Sequence, residues 1–245
     1  MYFRIARKYE GKILFMTSAF INWSGGKDCT FALHKILEEK KFKPEFLFTT
    51  CSRDYNRVSM HGVRKELITR QGFALGIKSR KLYVPQDHTL ETYNKFMKHE
   101  MLLMKQRGID YAVFGDIFLE DLKKYREEKL AEVELNGVFP LWKRDTKELL
   151  REFIALGYKT KLICINAKKL DRSFLGRTID EQFISDLPAD VDCCGENGEF
   201  HTFVYEGPVF KHPIEFKEGE TVYKEYKSKD PSHDTGFWYL DLVIS

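Results

Sequence analysis

The segment with the most evident chemistry is SGGKDC, at residues 24–29. An apolar run over residues 19–23 precedes it and an amphipathic run over residues 29–40 follows, which predicts a strand, a loop and a helix. Gly25 and Gly26 let backbone N–H groups approach an anion closely, and the helix points its positive end at the same place. The segment therefore predicts a phosphate-binding loop. Its members are Ser24, Gly25, Gly26, Lys27, Asp28 and Cys29.

Two charged side chains of this loop have separate expected roles. Lys27 offers a mobile positive charge to phosphate oxygens, and Asp28 is expected to cap the following helix. The spacing differs from GxxxxGK, because Ile21 stands where the first glycine would be, and it also differs from GxGxxG. The structural alternative is a plain Gly-Gly turn followed by a capped helix.

The elements that must position this loop alternate between short apolar runs and longer amphipathic segments. Such alternation predicts an α/β fold, with a parallel sheet and helices on both of its faces. Ligands of such sheets bind beyond the carboxyl ends of the strands. The expected strands cover residues 19–23, 44–50, 81–85, 111–115, 138–141 and 161–165, and the expected helices cover 29–40, 63–75, 90–106, 119–134 and 146–156.

The alternation stops after about residue 170. Two β-rich stretches, residues 200–210 and 237–244, flank an expected turn over residues 226–234. These features predict a smaller C-terminal α+β part. The expected organisation is an N-terminal extension over residues 1–15, an α/β domain over 16–168 and a C-terminal α+β domain over 169–245.

Composition excludes several classes of protein. The chain has 245 residues, 43% of them hydrophobic, and a formal net charge of +3, which is too mild to indicate nucleic acid as a partner. The apolar run over residues 13–23 is too short to span a membrane, so no membrane partner is expected. Five cysteines without a CxxC pair argue against a zinc ribbon or a thioredoxin-like site and favour a reduced, cytoplasmic location.

The loop also carries a resemblance. SGGKD after a first strand resembles the pyrophosphatase (PP) loop of the adenine nucleotide α-hydrolase superfamily, with Cys29 in place of the usual serine. Three more segments resemble the diphthine–ammonia ligase family, and His61 falls where that family has a histidine. All matches occur in family order, so the chain resembles a divergent member. The three segments are PLWKRD at 140–145, LDRSFLGR at 170–177 and GENGEFHTF at 195–203.

The resemblance implies a HUP-type, Rossmann-like fold and an ATP-dependent carbon–nitrogen ligase with Mg²⁺ as a further cofactor. Such an enzyme adenylates a carboxylate, releases pyrophosphate and transfers ammonia to give an amide. Its partners would be ATP, ammonia and a carboxylate acceptor, which in the named family is diphthine on elongation factor two. A homodimer is left open as the assembly.

The resemblance also implies site residues. The expected catalytic residues are Lys27, Glu196 and Glu199, the loop and Gly115 are expected to bind nucleotide, and the expected substrate-binding residues are His61, Asp116, Trp142, Arg144, Asp145, Arg177 and Gly198. The roles left open for the two glutamates are magnesium binding, ammonia orientation and proton acceptance. As the alternative, both flank a hairpin turn at Asn197-Gly198.

Other expected site residues have structural alternatives as well. Trp142 and His61 are also compatible with packing, Arg144 and Asp145 with an ion pair or a helix cap, and Arg177 with pairing to Asp180.

The segment after Gly115 departs from the family pattern. Its Tyr-Gln pair becomes Asp121-Leu122, and His201 replaces a glutamate, so the acceptor half of the site is altered. The acidic residues Asp116, Glu120 and Asp121 suggest a cationic group on the acceptor, a metal, or a helix start. Three hypotheses remain: the ligase, the same adenylating chemistry on another acceptor such as a cobalamin-salvage substrate in bacteria, and a non-catalytic ATP- or AMP-binding module.

Overall fold

A computed structural model describes residues 6–9, 12–85, 89–227 and 235–245. The segment expected as an N-terminal extension contains two strands, β1 (Ala6–Tyr9) and β2 (Lys12–Phe15), which pair antiparallel with each other. The turn expected over residues 226–234 lies mostly outside the described residues.

The predicted parallel sheet is confirmed. Its strands stand in the order β6–β4–β3–β7–β8, and the short β5 pairs antiparallel with the end of β4. Numbered along the chain, the five parallel strands have the order 3-2-1-4-5 of a Rossmann-like fold. The order reverses between β3 and β7, where a crevice opens at the carboxyl edge. The bounds are β3 (Thr17–Asn22), β4 (Phe42–Ser52), β5 (Arg57–Val58), β6 (Lys78–Val84), β7 (Tyr111–Val113) and β8 (Asn136–Val138).

Helices cover both faces of this sheet because successive strand residues point to opposite sides. In β3, Ala19 and Ile21 belong to the core shared with α1 and α2, whereas Phe20 belongs to the core shared with α3 and α4. The predicted two-sided arrangement is therefore confirmed. The four helices are α1 (Lys27–Glu39), α2 (Lys65–Leu75), α3 (Leu90–Gln106) and α4 (Glu120–Ala131).

A second, antiparallel sheet of four strands follows, in the order β10–β9–β12–β11. Its buried residues share one core with α1 and α2, together with α5 and α6. The remaining elements are α5 (Thr146–Ala155), β9 (Lys159–Asn166), a 3₁₀ turn (Arg172–Phe174), α6 (Glu181–Asp186), β10 (Phe200–Glu206), β11 (Phe216–Tyr226) and β12 (Thr235–Ile244).

Two sequence predictions about strands are wrong, and one strand was missed. The strand at 161–165 is part of β9, which pairs antiparallel with β10 and β12 and so lies outside the parallel sheet. The strand at 138–141 ends at Val138, and a turn follows at Pro140, which has no backbone N–H for a sheet ladder. Strand β11 was not expected, because most of its side chains are exposed and polar residues occupy both of its faces.

One buried side chain ties the two halves of the chain together. Gln71 on α2 is fully buried, and its Nε2 donates to the carbonyl oxygens of Gly25, at 2.9 Å, and Val204, at 2.7 Å. Its Oε1 accepts a hydrogen bond from Trp23 Nε1 at 2.8 Å. The predicted loop, helix α2 and strand β10 therefore meet at a single amide.

We expect Gln71→Met to lower the free energy of unfolding by roughly 2–4 kcal/mol, because the indole N–H and two carbonyls lose a buried partner at nearly constant volume. Urea unfolding measures this. Gln182→Met, on the exposed face of α6, is the control and should change stability by less than about 0.5 kcal/mol. Equal effects of the two substitutions would refute the junction role of Gln71.

Candidate functional site

A cavity of about 200 Å³ opens at the carboxyl edge of the parallel sheet. It lies where the strand order reverses, between the loop after β3 and the segment after β7. Eight of the sequence-predicted site residues line it: Ser24, Gly26, Lys27, Asp28, His61, Asp116, Glu196 and Gly198. Six further lining residues were not among the predicted ones: Leu119, Leu122, Gly195, Phe200, His201 and Thr202.

The loop presents backbone donors to this cavity. Helix α1 begins at Lys27, and its first intrahelical bond runs from the Thr30 N–H to the Gly26 carbonyl at 3.2 Å. The N–H groups of Asp28 and Cys29 therefore have no partner within the helix. This helix end can receive an anion. The N–H of Lys27, by contrast, donates to Thr202 Oγ1 at 3.0 Å.

The predicted helix cap by Asp28 is wrong. Gly26 is the N-cap residue and no side chain caps the helix. The Asp28 carboxylate instead accepts hydrogen bonds from Lys27 Nζ at 2.8 and 2.9 Å, because the adjacent ammonium is a stronger partner than a neutral N–H.

Lys27 is a buried positive charge in the cavity wall. Its side chain is almost fully buried, its Nζ also donates to the Cys194 carbonyl, and it lies 5.4 Å from the centre of the Phe200 ring. Burial alone would lower the pKa of Lys27, but Asp28, with smaller contributions from Cys194 and Glu196, outweighs burial and raises it. The lysine therefore stays charged at neutral pH.

The Cys29 thiol turns away from the cavity. It is buried, and its Sγ donates to the Gly26 carbonyl at 3.2 Å. Burial raises the pKa of this thiol, so it stays protonated. Any anion contact at this position would come from the backbone N–H.

Glu196 is the cavity's titratable acid. Its Oε1 accepts a hydrogen bond from the Ile117 N–H at 2.8 Å. Burial, with a contribution from Asp28, raises the pKa of Glu196 to about 7, although the Ile117 hydrogen bond and Lys27 oppose the shift. The carboxyl group therefore exchanges its proton near neutral pH.

Glu199 lies outside the cavity lining. It is buried, and its Oε1 accepts hydrogen bonds from the Asp192 N–H at 3.2 Å and from Asn197 Nδ2 at 3.1 Å. The residue thus holds the turn that carries Glu196. No strand precedes this turn, so the alternative of a hairpin at Asn197-Gly198 is wrong.

Four predicted substrate-binding residues lie away from the cavity. Asp145 caps α5 by accepting from the Glu148 N–H at 2.8 Å, and Arg144 pairs with Glu152 at 2.7 Å. Arg177 pairs with Asp186 at 2.7 Å rather than with Asp180. Trp142 packs under Lys123, whose Nζ lies 5.0 Å from the centre of the Trp142 ring. The structure does not bring these four side chains into the site.

Gly115 also lies behind the lining, in contact with the start of α1. A Cβ there would stand 2.6 Å from the Asp28 carbonyl carbon and 2.8 Å from the Cys29 nitrogen. A glycine is therefore required for the close approach of this segment to the loop.

Two histidines form the far wall of the cavity. The ring centres of His61 and His201 are 4.1 Å apart, with 33° between the ring planes. Burial lowers the pKa of both, and in His201 the neighbouring His61 and Lys27 lower it further. Both imidazoles are therefore neutral at neutral pH.

Strand β12 holds the loop that carries His61 through ion pairs. The Asp241 carboxylate pairs with Arg57 at 2.7 Å and with Arg64 at 2.6 Å, and Arg57 also donates to the Gly62 carbonyl at 2.9 Å. On either side of His61 the backbone has positive φ, 65° at Met60 and 77° at Gly62. The second sheet thus holds both histidines: His201 as part of β10, and His61 through Asp241.

Asp116 marks the other end of the cavity. It is buried and forms an ion pair with Arg126, whose Nε lies 2.6 Å from Oδ2. Burial raises the pKa of Asp116, although Arg126 opposes the shift. The other acids of the predicted cluster are exposed at the first turn of α4, where Glu120 pairs with Lys143 at 2.8 Å. Their position agrees with the alternative that these acids mark the start of a helix.

In the described part of the chain, no helix combines the length and apolar character needed to cross a membrane.

Comparisons with known proteins agree with the fold. The family model for the diphthamide synthase N-terminal domain matches residues 16–136, and the model for the C-terminal domain of the same family matches residues 145–230. The gap between the two matches, residues 137–144, runs from within β8 to just before α5, so β9 falls in the second match.

Three individual relatives share the name diphthine--ammonia ligase. The diphthine--ammonia ligase of Homo sapiens is 27% identical over 223 aligned residues, covering 81% of this chain and 82% of the relative. That of Danio rerio is also 27% identical, covering 81% of this chain and 86% of the relative. That of Mus musculus is 33% identical over 131 residues, covering 51% of this chain and 49% of the relative.

We expect Glu196→Gln to raise the free energy of unfolding relative to the parent at pH 8 by roughly 2 kcal/mol, and by much less at pH 4.5. In the folded protein the pKa of Glu196 is raised to about 7. The Glu196 side chain therefore destabilises the fold increasingly as the pH rises from the ordinary pKa of a glutamate through 7. Glutamine keeps the acceptor for Ile117 without ionising. Urea unfolding at both pH values measures the difference, with the exposed Glu220→Gln on β11 as the control. A pH-independent difference would rule out a buried, shifted carboxyl.

We expect Asp241→Asn to lower the free energy of unfolding by roughly 1–2 kcal/mol above pH 4, an effect that shrinks as the pH falls towards 2. Burial alone would raise the pKa of Asp241, but hydrogen bonds from Arg64 and Arg57 lower it to about 2. The stabilisation that Asp241 gives is therefore present above the ordinary pKa of an aspartate and is lost as the pH falls towards 2.

The same variant should weaken the contact between His61 and His201, measured as the nuclear Overhauser effect between their ring protons. Glu100→Gln is the control, because Glu100 pairs with Arg80 at 2.6 Å and is buried to a similar extent. An unchanged histidine contact in Asp241→Asn would show that the ion pairs do not hold the loop.

Proposed function

The chain belongs to the diphthamide synthase family, and from that premise we propose that it is an ATP-dependent ligase that joins ammonia to a carboxylate as an amide. Its relatives are named as diphthine--ammonia ligases. The observation that carries the proposal is the loop at residues 24–29: helix α1 begins there without a side-chain cap, and Ser24, Gly26, Lys27 and Asp28 line the cavity at the strand-order reversal.

The residues present fit the phosphates of ATP. The N–H groups of Asp28 and Cys29 offer donors at the positive end of α1, and Lys27 offers a full charge. Asp28 lines the same cavity and presents carboxylate oxygens, the ligands that Mg²⁺ prefers. Bound Mg²⁺ would offset charge on the departing pyrophosphate. Lys27 would do so from the protein side.

The proposed reaction has two steps. A carboxylate oxygen of the acceptor attacks the α-phosphorus of ATP, and pyrophosphate leaves. The nitrogen of ammonia then attacks the carbonyl carbon, the bond to the phosphate oxygen breaks, and AMP leaves with the electron pair. The nitrogen must lose a proton in this second step.

Glu196 is the best-placed acceptor for that proton. A general base works best when its pKa lies near the working pH, and the pKa of Glu196 is raised to about 7 by burial. Lys27 and Asp28 line the same cavity, so the proton acceptor and the phosphate-binding residues share one space. The neutral rings of His61 and His201 offer further hydrogen-bonding nitrogens there.

The same adenylating chemistry on an acceptor other than diphthine is the second candidate. The cavity lining also includes Leu119, Leu122 and the two neutral histidines, which offer apolar and uncharged polar contacts to an acceptor. The identity of the acceptor is therefore part of the proposal that experiment must decide.

We expect the protein to bind a non-hydrolysable ATP analogue with Mg²⁺ at micromolar Kd, and Lys27→Ala to weaken this at least about tenfold. Isothermal titration calorimetry measures both values. Lys147→Ala, an exposed lysine on α5, is the matched control and should bind as the parent does. A Lys27→Ala variant that binds as tightly as the parent would contradict the phosphate site.

A further inference from the structure

A second cavity lies between α3 and α4, on the opposite side of residues 114–116 from the first. It has a volume of about 40 Å³ and begins at Asn22, the last residue of β3. Its floor is apolar, formed by Phe20, Phe114, Met97 and Met101. Because Phe114 follows β7, this slot opens at the same strand-order reversal as the cavity of the phosphate loop.

The rim of this slot is positively charged. Lys98 and Lys129 both pair with one carboxylate, Glu132, at 3.0 and 2.6 Å, and Arg126 is the third cation of the lining. With Asp116 counted beside Arg126, three cations meet two carboxylates, so the rim keeps an excess of positive charge, which favours an anionic ligand.

Arg126 joins the slot to the first cavity. Its guanidinium carbon lies 4.5 Å from the centre of the Phe114 ring, within the slot, and its Nε lies 2.6 Å from Asp116, which lines the first cavity. An anionic group held by Arg126 would therefore stand at the boundary between the two cavities.

We propose that this slot, which nothing in the proposed chemistry has yet used, is the subsite for the acceptor: a short apolar carboxylic acid whose tail rests on the aromatic floor and whose carboxylate pairs with Arg126. The proposal rests on the proposed function for the reaction that follows, but the binding step stands on the slot alone. On the measure in which one water needs about 10–15 Å³, the slot holds roughly three or four heavy atoms, enough for a short branched tail.

The ion pair at the boundary suits such a role. Arg126 offers a planar pair of donors that matches a carboxylate, so the ligand competes with Asp116 for the same guanidinium. Burial raises the pKa of Asp116, so its carboxyl group takes up a proton more readily than an exposed carboxylate when a ligand takes Arg126 from it.

A purely structural explanation of the slot predicts something different. Helix α3 buries only Met101 and Met104, and helix α4 buries only Leu130, so the slot would be a gap between two loosely packed helices. Such a gap would accept small apolar molecules without regard to charge. The discriminating property is therefore preference for an acid over its amide.

The test uses the methionines as reporters. The full chain is labelled with ¹³C at the methionine methyl groups and titrated with 3-methylbutanoate. Two control ligands match it in part: 3-methylbutanamide lacks the charge, and acetate lacks the apolar tail. We expect 3-methylbutanoate to shift the Met97 and Met101 signals to saturation, and each match to bind about tenfold more weakly. Met60 and the buried Met104 lie outside the slot lining and serve as internal controls.

Two variants decide the roles. Arg126→Gln should abolish the preference for acid over amide, whereas Arg151→Gln, an exposed arginine on α5, should leave it intact. Met97→Trp fills the slot without changing its charge and should remove the binding of acid and amide alike. Together they separate loss of the cation from loss of the space.

The proposal is overturned if 3-methylbutanoate leaves Met97 and Met101 unmoved, if acid and amide bind equally, or if Arg126→Gln keeps the preference. Calorimetry of the ATP analogue on the same samples separates the two proposals. Acid binding without nucleotide binding would overturn the ligase function and keep the slot. Nucleotide binding without acid preference would overturn the slot and keep the ligase function.

Discussion

The site depends on the contact between strand β10 and the loop at residues 24–29. The Lys27 N–H donates to Thr202 Oγ1, and the Gly25 carbonyl accepts from the Val204 N–H at 2.9 Å while it also accepts from Gln71. A loop of this type is flexible on its own, because its two glycines allow many backbone conformations. Strand β10 removes that freedom and closes the cavity from the side of the second sheet.

The charges of the cavity follow from this closure. Because β10 and the turn before it cover the loop, Lys27 and Glu196 are both removed from most of the solvent. Lys27 keeps its charge through Asp28, Glu196 becomes a weak acid, and the two histidines become neutral. The cavity thus pairs a fixed positive charge with an acid that titrates near neutrality, which suits the loss of pyrophosphate followed by the uptake of a proton.

Local patterns predicted the loop and the order of elements well, because an apolar strand, two glycines and an amphipathic helix act over neighbouring residues. Partners distant in the sequence were harder to predict. Strand β9 looked like a sixth parallel strand, since the residues that pair with it come 35 to 75 positions later. The Asp28 cap failed because the adjacent Lys27 competes for the carboxylate.

Among the predicted site residues, most of the loop, His61, Asp116, Glu196 and Gly198 reached the cavity, whereas those of the segment before α5 did not. The segment at 140–145 builds the start of α5, where Asp145 caps the helix and Arg144 pairs with Glu152. Thr202 and His201 stand in a segment that the sequence had singled out, but only the fold shows that β10 turns both towards the loop.

The most direct test of the account is a crystal structure with Mg²⁺ and α,β-methylene ATP. The account predicts phosphate oxygens within about 3.2 Å of the Asp28 and Cys29 N–H groups and of Lys27 Nζ, which would then have left the Cys194 carbonyl. A nucleotide bound elsewhere, with those N–H groups and Lys27 unchanged, would contradict it.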